Sequence, residues 1–133
     1  MARTDANATM GLKEALFRAG KFVEIGADIT FLEAPLNEEE MRAYCKEVPG
    51  HRMANMVEQG DTPILSPARL QEIGYKIVAY PLTLMLSGIK AMDDALSALK
   101  RGNRPRALAD FVHLREIVGF PEYYQAEQKY ATE

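Results

Sequence analysis

Gly26-Ala27-Asp28-Ile29-Thr30-Phe31-Leu32-Glu33 is the stretch on which the fold turns. Upstream of it Leu12, Ala15, Leu16, Ala19 and Val23 recur at three- and four-residue steps, the period of a helix with one buried face, which predicts a helix over 10–25. Ile29-Thr30-Phe31-Leu32 is β-branched and aromatic enough for a short buried strand. The same unit returns twice, because Gly26, Gly50 and Gly74 lie 24 residues apart and each stands between a helix-like segment and a short apolar one. Met41, Tyr44, Cys45 and Val48 predict a helix over 38–48, with Asn37 and Glu40 as a capping-box-like start and Glu38 to Glu40 placing negative charge at its dipole's positive end. Ser66-Pro67 opens a third helix that ends at Gly74. Strands are expected at Arg52-Met53-Ala54-Asn55, at Lys76-Ile77-Val78-Ala79-Tyr80 and, as a stub, at Ala2-Arg3-Thr4. Helices alternating with short strands imply βα units and a parallel sheet.

From Pro81 the pattern changes. Met85, Ile89, Met92, Leu96 and Leu99 mark one long helix closing near Gly102, and this stripe is expected to be core packing. Arg104-Pro105 then breaks the chain before helical segments around 107–118 and 122–131. The predicted organisation is a half-barrel of βα units over 1–102 and a helical tail over 103–133. A helix-glycine-strand repeat suits either a doubly wound sheet or a TIM barrel. The first should carry a Gly-rich phosphate fingerprint, and neither G-x-G-x-x-G nor G-x-x-x-x-G-K is present, so the barrel is preferred. A whole (β/α)₈ barrel needs about 250 residues, so a chain of 133 supplies about half of the strands.

Composition narrows the function. Sixteen Lys plus Arg against nineteen Asp plus Glu give a net charge of −3, which argues against a nucleic-acid binder that relies on a basic surface. One cysteine, Cys45, excludes an internal disulfide, and with only His51 and His113 beside it a Cys/His zinc site is implausible; a reducing, cytoplasmic setting is expected. No apolar run approaches the roughly 18 residues of a membrane span, and Met-Ala-Arg-Thr-Asp is not the start of a signal peptide.

Functional side chains of parallel α/β folds gather at the carboxyl ends of the strands. Arg3-Thr4-Asp5, Glu33, Asn55 and Tyr80-Pro81 occupy those positions. A guanidinium, a carboxylate and an amide on one rim suit a substrate with carboxylate and hydroxyl groups, since arginine grips a carboxylate bidentately. Each residue also has a structural reading: Arg3 pairing with Asp5, Glu33 a solvated loop carboxylate, Asn55 satisfying loop backbone. Glu38 to Glu40 is a helix start rather than a metal site. His113 is packed or at the surface, Cys45 is a buried inert thiol, and His51 lies at the amino end of its strand, away from barrel chemistry.

Taken in order, Ala2-Arg3-Thr4-Asp5-Ala6, Gly26-Ala27-Asp28 with Phe31-Leu32-Glu33-Ala34-Pro35, and Ala54-Asn55-Met56-Val57-Glu58 resemble the isocitrate lyase and phosphoenolpyruvate mutase superfamily. So do Thr62-Pro63-Ile64-Leu65-Ser66, Gly74 to Pro81 and Gly119-Phe120-Pro121-Glu122-Tyr123-Tyr124, and the likeness is strongest to its carboxyvinyl-carboxyphosphonate phosphorylmutase or 2-methylisocitrate lyase-like branch. The resemblance implies the C-terminal half of a (β/α)₈ barrel with a helical tail exchanged between subunits. It also implies Mg²⁺-dependent cleavage or formation of C–C or P–C bonds through an enolpyruvate-like species, with Arg3, Glu33 and Asn55 as substrate contacts.

The family's Asp-x-Asp-x-Gly-x-Gly strand, Glu-Asp-Gln strand and Lys-x-Cys-Gly-His loop are not in this sequence, so no Mg²⁺ ligand is assigned to it. The chain starts inside what corresponds to the fifth strand. An upstream segment or second chain supplying the first half is therefore expected, and little turnover by the chain alone. Where 2-methylisocitrate lyases carry a substrate-binding arginine after Pro-Leu-Ser, Pro81-Leu82-Thr83 leads to Leu86. The expected partners are a small carboxylate or phosphonate substrate and a homo-oligomer or complementary half, with no nucleic acid and no membrane. The competing expectation is a non-catalytic half-barrel that self-associates, or a truncated fragment, because four parallel strands leave two open edges and a bare face.

Overall fold

The computed structural model describes residues 1–131. The chain divides into two compact units, Met1–Leu86 and the part from Ser87 onward. The first is built from β1 (Ala2–Thr4), α1 (Ala6–Met10), α2 (Leu12–Glu24), β2 (Ile29–Leu32), α3 (Glu38–Glu47), β3 (His51–Asn55), α4 (Pro67–Ile73) and β4 (Ile77–Ala79). Its four strands form one sheet in the order β1-β2-β3-β4, every pair parallel. Sequential strands that are neighbours and parallel, each joined through a helix, are the repeating unit of a barrel wall.

The pleat sorts the side chains. Thr4, Thr30, Leu32 and Ala54 are buried on the face covered by helices, where Ala15, Ala19, Met41, Tyr44, Leu70 and Ile73 complete the core. Strand alternation then sets Arg3, Phe31, Met53, Asn55, Ile77 and Ala79 on the opposite face. The register aligns Arg3, Phe31, Met53 and Ile77 across all four strands. At the amino-end rim Arg52 donates to the carbonyls of Val48 (2.9 Å), Gly50 (2.6 Å) and Gly74 (3.0 Å), tying two helix-to-strand turns together. Gly74 sits there with φ +120°, a conformation L side chains rarely adopt, and a Cβ on it would lie 3.3 Å from Cys45 Cβ and 3.4 Å from an Arg52 nitrogen, so a side chain there is strained and its neighbours would have to give way.

The glycine-spaced repeat of the sequence is therefore a structural repeat, with β1 and β2 at the expected residues. β3 starts one residue earlier than expected, and β4 is confined to Ile77–Ala79. The predicted helix over 10–25 is α2, Leu12–Glu24, and the structure adds the short α1 before it, which ends where Gly11, at φ +85°, turns its N–H back to the carbonyls of Ala6 and Asn7. At α3 the expected cap is formed, the Glu40 N–H donating to Asn37 Oδ1 at 2.9 Å. α4 is capped in the same way by Ser66.

The long helix α5 (Thr83–Lys100) has the expected position. Its stripe is not core: Met85, Ile89, Met92, Leu96 and Leu99 are 55%, 49%, 61%, 65% and 59% exposed. A 3.6-residue apolar period specifies a face that wants cover but not what covers it, and among the described residues no side chain of α5 is buried. Beyond α5, α6 (Phe111–Ile117) begins at Asp110, whose carboxylate accepts the His113 N–H at 2.8 Å, and α7 (Phe120–Tyr130) follows Gly119. Arg115 joins the two, lying 5.5 Å over the rings of Phe120 and Tyr124 and donating to the Tyr124 hydroxyl. His113 is exposed. No helix among the described residues is long and apolar enough to cross a membrane.

Candidate active site

The carboxyl ends of the strands bring Arg3 and Glu33 together. Arg3 leaves β1 across the Phe31 ring, its guanidinium carbon 5.0 Å from the ring centroid. Its Nη2 reaches Glu33 Oε2 at 3.5 Å. Glu33 follows β2 directly, and its N–H donates to the Thr4 carbonyl at 3.0 Å, continuing the ladder beyond the strand. Its Oε2 is out of solvent and accepts no hydrogen bond among the described residues, which leaves a carboxylate oxygen with capacity to spare beside a cation.

Asp5 holds the same arginine. It accepts from Arg3 Nη2 at 2.7 Å and from Nε at 3.1 Å, so the structural pairing expected from the sequence is formed alongside the Glu33 contact. These hydrogen bonds hold the Asp5 carboxyl below the ordinary carboxylate range and raise the already high pKa of Arg3. Asp5 and Glu33 use Nε and Nη2, and Nη1 is the guanidinium edge left for another acceptor. Arg3 is half-exposed, so that edge is within reach of a ligand from solvent.

Asn55 closes β3 in register with Ala79, on the same face as Arg3, and is half-buried. The next residue locks its place: the Met56 N–H donates to the Ala79 carbonyl at 2.8 Å. From there the chain turns into a loop whose Glu58 was not singled out as a site residue in the sequence. Glu58 Oε1 accepts a hydrogen bond from the hydroxyl of Thr83, the first residue of α5, while its Oε2 is out of solvent with no hydrogen-bond partner among the described residues. The signal for Glu58 is a contact across 25 residues of chain, which no local pattern shows. Tyr80 follows β4 and is exposed.

The remaining polar residues fall into structural roles. Burial raises the Cys45 thiol, which packs under Gly74, and this suits an inert side chain rather than a nucleophile. His51 is exposed at the amino end of β3, on the rim opposite Arg3. For a divalent cation the test is the donor set, and among the described residues no three carboxylate, imidazole or thiolate groups converge to hold one. Glu33 and Glu58 each offer one spare oxygen and are not grouped with further donors, so no Mg²⁺ ligand set is assigned to the described residues.

The arrangement has close counterparts. The chain is 41% identical over 136 residues to the 2,3-dimethylmalate lyase of Eubacterium barkeri, covering 99% of this chain and 47% of that protein. It is 33% identical to the chloroplastic carboxyvinyl-carboxyphosphonate phosphorylmutase of Arabidopsis thaliana, over 99% of this chain and 41% of that one. A crystal structure of 2,3-dimethylmalate lyase, described as a PEP mutase/isocitrate lyase superfamily member, superposes with a TM-score of 0.85 at 30% identity, over 97% of this chain and 46% of the other. The chain thus spans about half the length of the curated relatives it matches, and its sheet corresponds to part of their TIM barrel. With the phosphoenolpyruvate phosphomutase family model matching residues 1–100, this chain belongs to the PEP mutase/isocitrate lyase superfamily of lyases and mutases.

Proposed function

We propose that the chain forms the acid-binding side of a lyase or phosphonomutase site that makes or breaks a C–C or P–C bond of a small 2-oxo or hydroxy carboxylic acid. The observation that carries this reading is the Arg3–Glu33 pair on the carboxyl-end rim, with a spare carboxylate oxygen shielded from solvent. Arg3 receives the substrate carboxylate or phosphonate on its free edge and stabilises the negative charge that develops on the enolpyruvate-like species. Its always-charged guanidinium needs no proton transfer to do so. Glu33 fixes Arg3 and accepts from a substrate hydroxyl, and the Asn55 amide donates to the same molecule. A divalent cation bound by groups other than these would neutralise charge on the substrate. This chain alone is accordingly expected to turn over little substrate, in a cytoplasmic setting, with its tail helices packed on a partner subunit.

The test is a fusion in which this chain replaces the matching 136-residue segment of the Eubacterium barkeri enzyme. Cleavage of 2,3-dimethylmalate by a folded fusion supports the reading, and a folded, inactive fusion that also fails with phosphonopyruvate and 2-methylisocitrate rejects it.

The exposed stripe of α5 and the open edges of β1 and β4 favour a second reading, a non-catalytic half-barrel that associates through these surfaces. The fusion assay separates the two, and light scattering behind size exclusion tests the second, which a well-behaved monomer contradicts.

A further inference from the structure

Glu33 is followed by a residue in a backbone conformation that side chains disfavour: Ala34 has φ +52°. Such a residue persists only where its surroundings hold it. The holding group is Asn7, on α1. Its Nδ2 donates to the Ala34 carbonyl at 2.9 Å and to Glu40 Oε2 at 3.0 Å, using both amide hydrogens. Glu40 Oε2 also accepts the Leu36 N–H at 2.9 Å, so the turn from β2 into α3 is fastened at two points. The partners are 27 and 33 residues from Asn7 in the chain, so this is a tertiary clamp and not a local turn.

We infer that Asn7 is a positioning residue: by holding Ala34 left-handed it aims the Glu33 carboxylate at Arg3. The inference rests on the reading of Glu33 as a substrate contact, but its mechanism concerns the geometry of the turn. If Asn7 acts by holding a disfavoured φ, a residue that adopts positive φ freely should make Asn7 dispensable. Glycine at position 34 is that residue. Glu40→Gln should be mild, because its amide oxygen can still accept from Asn7 and Leu36.

The experiment is NMR on the 133-residue chain and on Asn7→Ala, Asn7→Asp, Ala34→Gly and the double variant Asn7→Ala/Ala34→Gly. Positive φ at position 34 is read from a strong intraresidue NOE between the amide and the Hα in the L-alanine position, assigned stereospecifically where residue 34 is glycine, and Glu33 placement from NOEs between its side chain and that of Arg3. In Asn7→Ala and Asn7→Asp both signals are expected to be lost and exchange of the Leu36 amide to rise about tenfold. In the double variant both NOEs are expected to return.

Retention of both NOEs in Asn7→Ala overturns the inference, as does a folded double variant in which Glu33 stays displaced. Should Asn7→Ala fail to fold, a folded double variant with Glu33 against Arg3 supports the inference. Failure of both to fold overturns it, since Asn7 then serves the fold as a whole. A Glu33 that moves as expected in a protein whose fusion enzyme is inactive rejects the functional reading alone.

Discussion

Replacing Tyr44 by Phe removes one of two hydroxyls that meet inside the core. The Tyr44 and Thr30 oxygens are 2.7 Å apart, and both residues are 0% exposed. Water cannot replace the lost partner at zero exposure, so Tyr44→Phe leaves the Thr30 hydroxyl unpaired at a cost of about 1–3 kcal/mol. The ring is kept, and with it the packing against Tyr75 at 6.1 Å between centroids. Thr30→Val removes the same hydrogen bond from the Tyr44 side. The double variant leaves no orphan and should lose much less than the sum, giving a coupling of about 1–3 kcal/mol in the cycle.

A pH series adds a second, independent number. Burial pushes Tyr44 up to about 12, against about 10 in an unfolded chain. The stability this carries is fully present below pH 10 and is lost as pH rises toward 12, by about 1.4 kcal/mol at pH 11. Tyr44→Phe has no such group, so its gap to the parent should narrow by that amount between pH 8 and pH 11. Tyr75 is raised in both proteins, chiefly by burial, and Tyr44 adds only a smaller part of that rise. Urea unfolding followed by far-ultraviolet circular dichroism measures both, the chain having no tryptophan to report. Additive single variants, or a gap independent of pH, would refute the reasoning.

Other outcomes follow from the same structure. Leu70→Ala, at a site with no exposure in the centre of the core, should cost about 2–5 kcal/mol in urea unfolding. Gly74→Ala forces a Cβ against Cys45 at φ +120° and should destabilise by about 2 kcal/mol or more, whereas the same change at half-buried Gly88, whose added Cβ would meet nothing within 4 Å, should be neutral or stabilising. Met92→Lys with Leu96→Lys on the exposed stripe of α5 should change monomer stability by less than about 0.5 kcal/mol while lowering any self-association seen by light scattering. Arg69 and Arg42 hydrogen-bond Glu38 and hold its carboxyl below the ordinary range. The contribution of that cluster is therefore present above about pH 4.3 and is lost as pH falls through the lowered value, a loss that Glu38→Gln should abolish in acid titration of unfolding.

What could be read from the residues follows from the range of the forces involved. Strand β2 is legible because three β-branched or aromatic residues and a leucine stand just beyond Gly26, and the 24-residue repeat copies the same local grammar along the chain. Helix α1 is hidden in the sequence, since five residues, Ala6–Met10, are too few to show a 3.6-residue apolar period before Gly11 ends them. The stripe of α5 is apolar in the sequence and uncovered in the structure, because cover is a property of neighbours. Arg3 and Asp5 are two residues apart and their pairing was foreseeable. The grip of Asn7 on the Ala34 carbonyl and of Glu58 on Thr83 spans 25 residues or more, distances that only the fold closes.

The measurement that bears most directly on the proposed site is kcat/KM of the fusion enzyme with and without Arg3→Ala, alongside circular dichroism to show that both are folded. If Arg3 receives the substrate carboxylate and stabilises its developing charge, kcat/KM should fall by about 10²-fold or more, with Arg3→Lys recovering only part of it. A folded Arg3→Ala fusion whose kcat/KM equals that of its parent would contradict the account.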